Sequence, residues 1–282
     1  MNLDLPQKEK VSKRRIAIYV TIILICIIAI IVVIGVQILG NDVVDNIFGI
    51  NKITKRSEEE EAVLKTNFEN IFDNQLEEKE EYKISKINRS KNAVYTNYTK
   101  QEKNDKIEIN VNIPYINIQN NEVENFNKEI ANTFVGKAEE VLKTTEEKIV
   151  YIVKYKAYIE NNILSVMIYS DLKQNTSAQR VIVQTFNFNL KENKKMSLED
   201  ILNSYELDIN AVQNKINTDI KKEQKKSEDL INLGYNVFSR NINSKIYKIE
   251  NISEYFVYNN NIYIVFAYGN DRITSEKDIV II

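Results

Sequence analysis

Hydrophobic residues along this chain first run on without interruption and then settle into two alternating rhythms. From Ile16 to Leu39 the sequence IAIYVTIILICIIAIIVVIGVQIL carries no charge. As a helix rising about 1.5 Å per residue it reaches about 36 Å, enough to cross a hydrocarbon core of about 30 Å. A lone segment crosses lipid only as a helix, because only a helix satisfies its own backbone. Downstream, Ser57-Glu58-Glu59-Glu60 predicts a capping box, followed by a loose apolar stripe through Ala62, Val63, Phe68, Ile71 and Phe72 to about Leu76. Ile107, Ile109, Val111 and Ile113 alternate with Glu108, Asn110 and Asn112, which predicts a half-buried strand ended by Pro114. The rhythm then lengthens: Phe126, Ile130, Phe134, Ala138, Val141 and Leu142 fall on one face of a helix capped by Asn120 or Asn121.

Two strands follow, Ile149–Glu160 and Ile163–Asp171. Asn161-Asn162 between them predicts a two-residue hairpin turn, because both central positions need positive φ. A third strand over Gln179–Leu190 places Ile182, Phe186, Phe188 and Leu190 on one face. Ser197-Leu198-Glu199-Asp200 is another capping signal, and a helix over about Asp208–Lys226 aligns Ile209, Val212, Ile216 and Ile220. Tyr255–Tyr258, an Asn-rich turn, Ile262–Tyr268 and Asp278–Ile282 close the chain as strands. The fold class expected is α+β: an N-terminal transmembrane helix followed by an exported domain in which an antiparallel sheet is packed by helices on one face. The expected division is a cytoplasmic tail 1–15, a membrane helix 16–39, a juxtamembrane spacer and helix 40–81, and a folded domain 82–282.

Charge supplies the orientation. Residues 1–15 hold Lys8, Lys10, Lys13, Arg14 and Arg15 against Asp4 and Glu9, leaving 33 cations and 38 anions in the remainder, a net of −5. Cations abut the N-terminal end of the apolar run, so the N-terminus is expected in the cytoplasm and residues 40–282 outside a cell membrane crossed once. A cleaved signal peptide would have a shorter apolar core and an Ala-x-Ala-like site, neither of which is present. The whole chain, with 38 basic and 40 acidic residues, lacks the basic excess a nucleic-acid surface needs.

The chain has no histidine, so Ser-His-Asp catalysis is excluded. Its one cysteine, Cys26, lies in the apolar run, which excludes an internal disulfide and a cysteine-rich zinc site. No glycine-rich nucleotide motif occurs. Glu139/Glu140 and Glu199/Asp200 are adjacent pairs, and helix neighbours one apart do not face each other. No catalytic, cofactor-binding or metal-binding residue is therefore assigned, and no cofactor is expected. Lys221, Lys222, Lys225 and Lys226 read as a solvated helix face. Tyr151, Tyr155, Tyr158 and Tyr169 read as packing residues on strands. The abundance of Asn, Lys, Ile and Tyr is that of AT-rich codons and suggests a bacterial source.

Three phrases carry a family resemblance: IEINVNIPYI at 107–116 followed by the helix with Asn127, NILSVMIYSDL at 162–172, and TFNFNLKENKKMSLEDIL at 185–202, before a closing strand ending in DIVII. In order and wording, residues 107–282 resemble the extracytoplasmic domain of unknown function DUF3298 with its DUF4163 neighbour. That pair occurs in the ectodomain of the lysozyme-sensing sigma-V anti-sigma factor and beside a peptidoglycan deacetylase domain. The resemblance implies a non-catalytic envelope module that binds or senses a protein or cell-wall ligand. The alternatives are a structural subunit of an envelope complex or a carboxylate-dependent cell-wall enzyme. Family members carry a Gly- and His-containing segment between the second and third strands. Here it reads Lys173-Gln174-Asn175-Thr176-Ser177-Ala178-Gln179-Arg180. The cytoplasmic sigma-binding segment and the deacetylase domain are also lacking. Partner contacts are expected at Asn175, Thr176, Ser177, Gln179 and Arg180, with Arg180 foremost because its planar fork pairs with carboxylates.

Overall fold

The computed structural model describes residues 56–143, 148–177, 179–268 and 276–282. The tail 1–15, the expected membrane helix 16–39 with Cys26, and the spacer 40–55 lie outside the described residues. So does Ala178. Among the described residues no helix is long and apolar enough to cross a membrane. The described residues form one compact unit, and it is α+β.

Four layers build it, and the alternation of side chains along the strands shows why. The larger sheet comprises β2 (Val94–Lys103), β3 (Ile107–Ile116), β4 (Ile149–Glu160), β5 (Ile163–Gln174), β6 (Arg180–Asn189) and β7 (Lys194–Lys195) in that order, with β1 (Leu76–Glu78) beside β4. One face of β4 and β5 presents Tyr151, Val153 and Tyr155, then Leu164, Val166 and Ile168, to helices α2 (Asn121–Ile130) and α3 (Gly136–Lys143). The opposite face presents Tyr158, Met167, Tyr169, Val181 and Val183 to a second sheet of β8 (Tyr255–Tyr258), β9 (Asn261–Ala267) and β10 (Lys277–Ile281). That smaller sheet turns Tyr255, Val257, Ile264, Phe266 and Val280 outward against α4 (Leu198–Ser204) and α5 (Ile209–Asn232). The order of layers is helix, sheet, sheet, helix. The larger sheet is covered on both faces at its central strands, which is why β5 is buried without a break from Ile163 to Ser170.

A buried polar link fixes how the sheets stack. Ser165 of β5 bonds Asn187 of β6 across the ladder. The Ser165 hydroxyl accepts the Val257 N–H at 2.9 Å, and the Asn187 amide donates to the Tyr255 carbonyl at 2.8 Å. Both sheets thus satisfy each other's buried polar atoms at one register.

Several expectations hold. Ser57 and Ser197 form capping boxes, Asp208 caps α5, and Asn120 caps α2. Asn161 and Asn162 have φ of 52° and 58°, and Asn259 and Asn260 repeat the device with 48° and 58°. Of the expected stripe, Phe126, Ile130, Phe134, Ala138 and Val141 are buried and Leu142 partly so, carried across a π-turn at Ala131–Val135. Asn127 holds α2 to the end of β3: its amide donates to the Ile116 carbonyl at 2.8 Å and its oxygen accepts the Ile116 N–H at 2.9 Å.

Others are corrected. The larger sheet is mixed, not antiparallel, because β3 and β1 both run parallel to β4. Helices flank the two outer faces and not one face. β3 continues through Pro114: its pairing with β4 ends at Val111, so the missing N–H costs no ladder bond, and a bulge at Thr96/Tyr98 lies opposite. The helix opened by Ser57, α1 (Glu58–Thr66), stops ten residues before Leu76. Phe68 and Phe72 then enter the core between the sheets, and residues 76–78 add a strand. Helix α5 runs on to Asn232.

Candidate functional site

The segment expected to recognise a partner is tied to its own strands. Asn175 has φ of 45°, and its side-chain oxygen accepts the Lys148 N–H at 2.7 Å while its own N–H reaches the Lys148 carbonyl at 2.8 Å. The Gln179 amide donates to Asp171, whose carboxyl pKa burial raises and this bond pulls back down. Arg180 donates to Gln174 Oε1 at 3.0 Å and is half-buried. Thr176 and Ser177 are exposed at the tip. Of the expected contacts, Asn175, Gln179 and Arg180 are therefore engaged in shaping the turn.

A groove begins next to Arg180, along β6. Ile182 was expected on one face with Phe186, Phe188 and Leu190; those three are buried, whereas Ile182 is 44% exposed. The reason is that helix α2 covers Phe186, with ring centroids 4.8 Å apart at Phe126, but does not extend over Ile182. Val181 and Val183, on the other face, pack between the sheets.

Backbone pairing leaves this stretch open at its outer side. Leu190 donates its N–H to Asn162 at 2.8 Å, which makes that antiparallel pair a hydrogen-bonded one. Pairs alternate, so even-numbered residues of β6 bond β5 and odd-numbered ones point away. The Met196 N–H bonding to the Asn187 carbonyl at 2.8 Å, outside the β5 side, agrees. β7 covers β6 only at Phe188 and Asn189. The outward N–H and C=O groups of Val181 and Val183 consequently form no hydrogen bond with a described residue, although both residues are buried, 4% and 6% exposed. β9 has a similar gap. β8 pairs it only from Asn261 to Ile264, and the Val265 N–H is taken by the Glu254 carbonyl at 3.0 Å, leaving Ala267 open on that side.

Both open edges line one groove of ≈ 350 Å³, together with Ile246, Ile252, Ser253, Glu254 and Phe266. Its walls mix apolar side chains with Asn251, Ser253, Glu254 and Tyr268. That carboxyl is pushed upward in pKa, first by burial and also by the nearby Glu129, while Thr185 and Ser253 act against the rise. One of its oxygens, Oε2, is buried without a hydrogen-bond partner. The groove thus offers unpaired strand edges, an apolar floor and one unsatisfied acceptor, a set suited to an extended peptide and without a nucleophile and base in concert.

A second cleft, ≈ 440 Å³, opens between α1, α5 and β10. Its charges are spent on one another. Arg240 forks onto Asp278 at 2.6 and 2.8 Å and reaches Glu276 at 3.0 Å, Tyr268 donates to Asp278 at 2.9 Å, and Lys65 pairs with Asp219 at 3.8 Å. This network reads as structural. The adjacent carboxylates do not converge: Glu139 is exposed and Glu140 bonds Lys137 at 2.9 Å, while Asp200 serves the Ser197 cap. Among the described residues no cluster of three metal-ligating side chains occurs. Neither a protein-family model nor a curated protein sequence matches the chain.

Proposed function

We propose that this chain is a non-catalytic, membrane-anchored binding module of the bacterial cell envelope, which captures an extended segment of a partner protein by strand addition along β6. The open, apolar edge at Val181–Val183 carries the reading. Backbone pairing would supply affinity, and the groove beneath would select alternate apolar side chains. The uncharged stretch 16–39 behind Lys13, Arg14 and Arg15 supports a single membrane span with the folded unit outside. The resemblance of residues 107–282 to DUF3298/DUF4163 domains supports the envelope setting, and the expected contact Arg180 is the first residue of the proposed docking strand. Protease added to intact protoplasts should digest residues 56–282. The binding mode is tested by placing a photo-crosslinking residue at Ile182 in living cells. The expected result is a discrete adduct with an envelope protein, lost when Val183→Pro removes an outward N–H. Adducts that persist in Val183→Pro would rule out strand addition at this edge.

A further inference from the structure

The segment that precedes β2 changes sign abruptly, from Glu77, Glu78, Glu80 and Glu81 to a basic run. Residues 82–101 contain Lys83, Lys86, Arg89, Lys91 and Lys100 and no Asp or Glu, in a chain that is net acidic overall. Four of these cations fall within nine residues, 83–91. None of the four forms an ion pair among the described residues: Lys86 and Lys91 sit over the rings of Tyr82 and Tyr95 at 5.9 and 5.6 Å, and Lys83 and Arg89 face solvent.

The loop is also held rigid from beneath. Asn117 is fully buried, and its side-chain oxygen accepts the Asn88 N–H at 2.8 Å. Its amide donates to the carbonyls of Asn88 at 2.7 Å and Asn92 at 3.1 Å. Gln119 donates its N–H to the Ser85 carbonyl at 3.1 Å, and Lys86 bridges to Ile118. Within the loop, Asn88 Oδ1 accepts from both the N–H and the hydroxyl of Ser90. Burying an amide to fix a surface loop is costly unless every bond is made, and here they are made. At the tip, between Lys86 and Arg89, Ile87 is 54% exposed beside a shallow hollow lined by Ile84, Ser85, Arg89 and Gln119.

We infer that loop 83–91 docks onto the anionic phospholipid surface of a membrane, its cations meeting headgroup phosphates and Ile87 entering the interface. Unpaired cations alone would suit any polyanion. The exposed isoleucine in their midst is what favours a bilayer, where a positive rim and an apolar tip are both satisfied. The effect, on the proposed anchored reading, would be to lay the folded unit against the surface to which it is tethered.

The chain has no tryptophan, so Ile87→Trp in the full-length protein, reconstituted in lipid nanodiscs, gives a single fluorescent reporter. In discs containing phosphatidylglycerol, emission should shift to the blue and be quenched by brominated acyl chains. Zwitterionic discs should show neither. The triple change Lys86→Ser, Arg89→Ser, Lys91→Ser should reduce the docked population roughly a hundredfold, since each cation near an anionic surface is worth about fivefold. Leu233→Trp, on an exposed residue at the C-terminal end of α5, should remain unquenched. In the unmodified chain, tryptic cleavage after Arg89 should slow only in anionic discs, which removes any bias from the larger indole. A solvent-like spectrum in anionic discs, or equal quenching in both, would overturn membrane docking. So would a shift induced by polyphosphate without quenching by brominated lipid, which would assign the loop to a soluble polyanion. A chain that fails to remain in discs of either composition would refute the anchor and not the loop.

Discussion

Proline placed at successive positions of β6 should be tolerated and rejected by turns, because only every second N–H of that strand enters the ladder. At Ile182 the N–H faces β5, opposite Ser170, which is buried. Ile182→Pro removes that donor, strands the Ser170 carbonyl and drives the ring toward β5. Losing the bond costs about 1 kcal/mol and the unsatisfied acceptor a further ~1–3 kcal/mol, so ~3 kcal/mol is a fair expectation. At Val183 the N–H points outward, and Val183→Pro breaks no ladder bond. It loses some packing between the sheets and restricts φ, together about 1 kcal/mol. With roughly 2–4 °C of Tm per kcal/mol for a unit of this size, Ile182→Pro should melt some 6–12 °C below wild type and Val183→Pro only ~2–4 °C below. Circular dichroism of the detergent-solubilised chain measures both. Equal losses, or a larger loss at Val183, would mean that the parity is reversed and that the edge is not open.

Two further outcomes are expected. Asp278→Ala leaves Arg240, whose side chain is 8% exposed, without its bidentate carboxylate, and should cost ~3–5 kcal/mol, read as a fall in denaturation midpoint far larger than for Glu58→Ala at the exposed Lys222 pair. Glu254 has a folded-state pKa raised above its ordinary value of 4.5, chiefly by burial. It therefore binds its proton more tightly folded than unfolded, and its ionisation lowers stability as pH climbs from about 4.5 through the raised pKa. Glu254→Gln should be more stable than wild type at pH 8, the gap closing below pH ~4.5. A gap that widens on acidification would contradict the burial of that carboxyl.

What could be read from the sequence was local. Asn161-Asn162 and the two serine capping boxes specify their turns by chemistry that needs no tertiary partner, and both are as expected. The helical stripe survives even the π-turn at Ala131–Val135. The parallel pairing of β1 and β3 along one side of β4 is not local: Leu76–Glu78 is three residues long and has no periodicity to read. The second sheet leaves its mark within β5. ILSVMIYSDL in β5 is apolar at both odd and even positions, the mark of a strand covered on both faces. The groove was illegible for a different reason. Whether β6 is an edge depends on β7 being only two residues long, and nothing within β6 records that. The basic loop, by contrast, was visible as a stretch without acids, but its rigidity depends on Asn117, twenty-six residues beyond Lys91.

The two lateral edges of the larger sheet are treated differently, and the contrast bears on function. An exposed edge invites unwanted pairing, and folded proteins blunt it with charge, bulges or cover. β2 follows that practice. It carries Lys100, Glu102 and Lys103, bulges at Thr96/Tyr98 and alternates exposed polar positions along its length. β6 uses such devices only in part. Glu254 bears on Thr185 and β7 covers Phe188 and Asn189, yet Val181, Ile182 and Val183 carry no charge, no bulge and no covering strand. Sequence chemistry sufficient to blunt one edge was thus available to the fold and is absent from three consecutive residues of the other. An edge left without charge or bulge in an otherwise guarded sheet, beside a groove, is what strand addition requires and what mere stability does not.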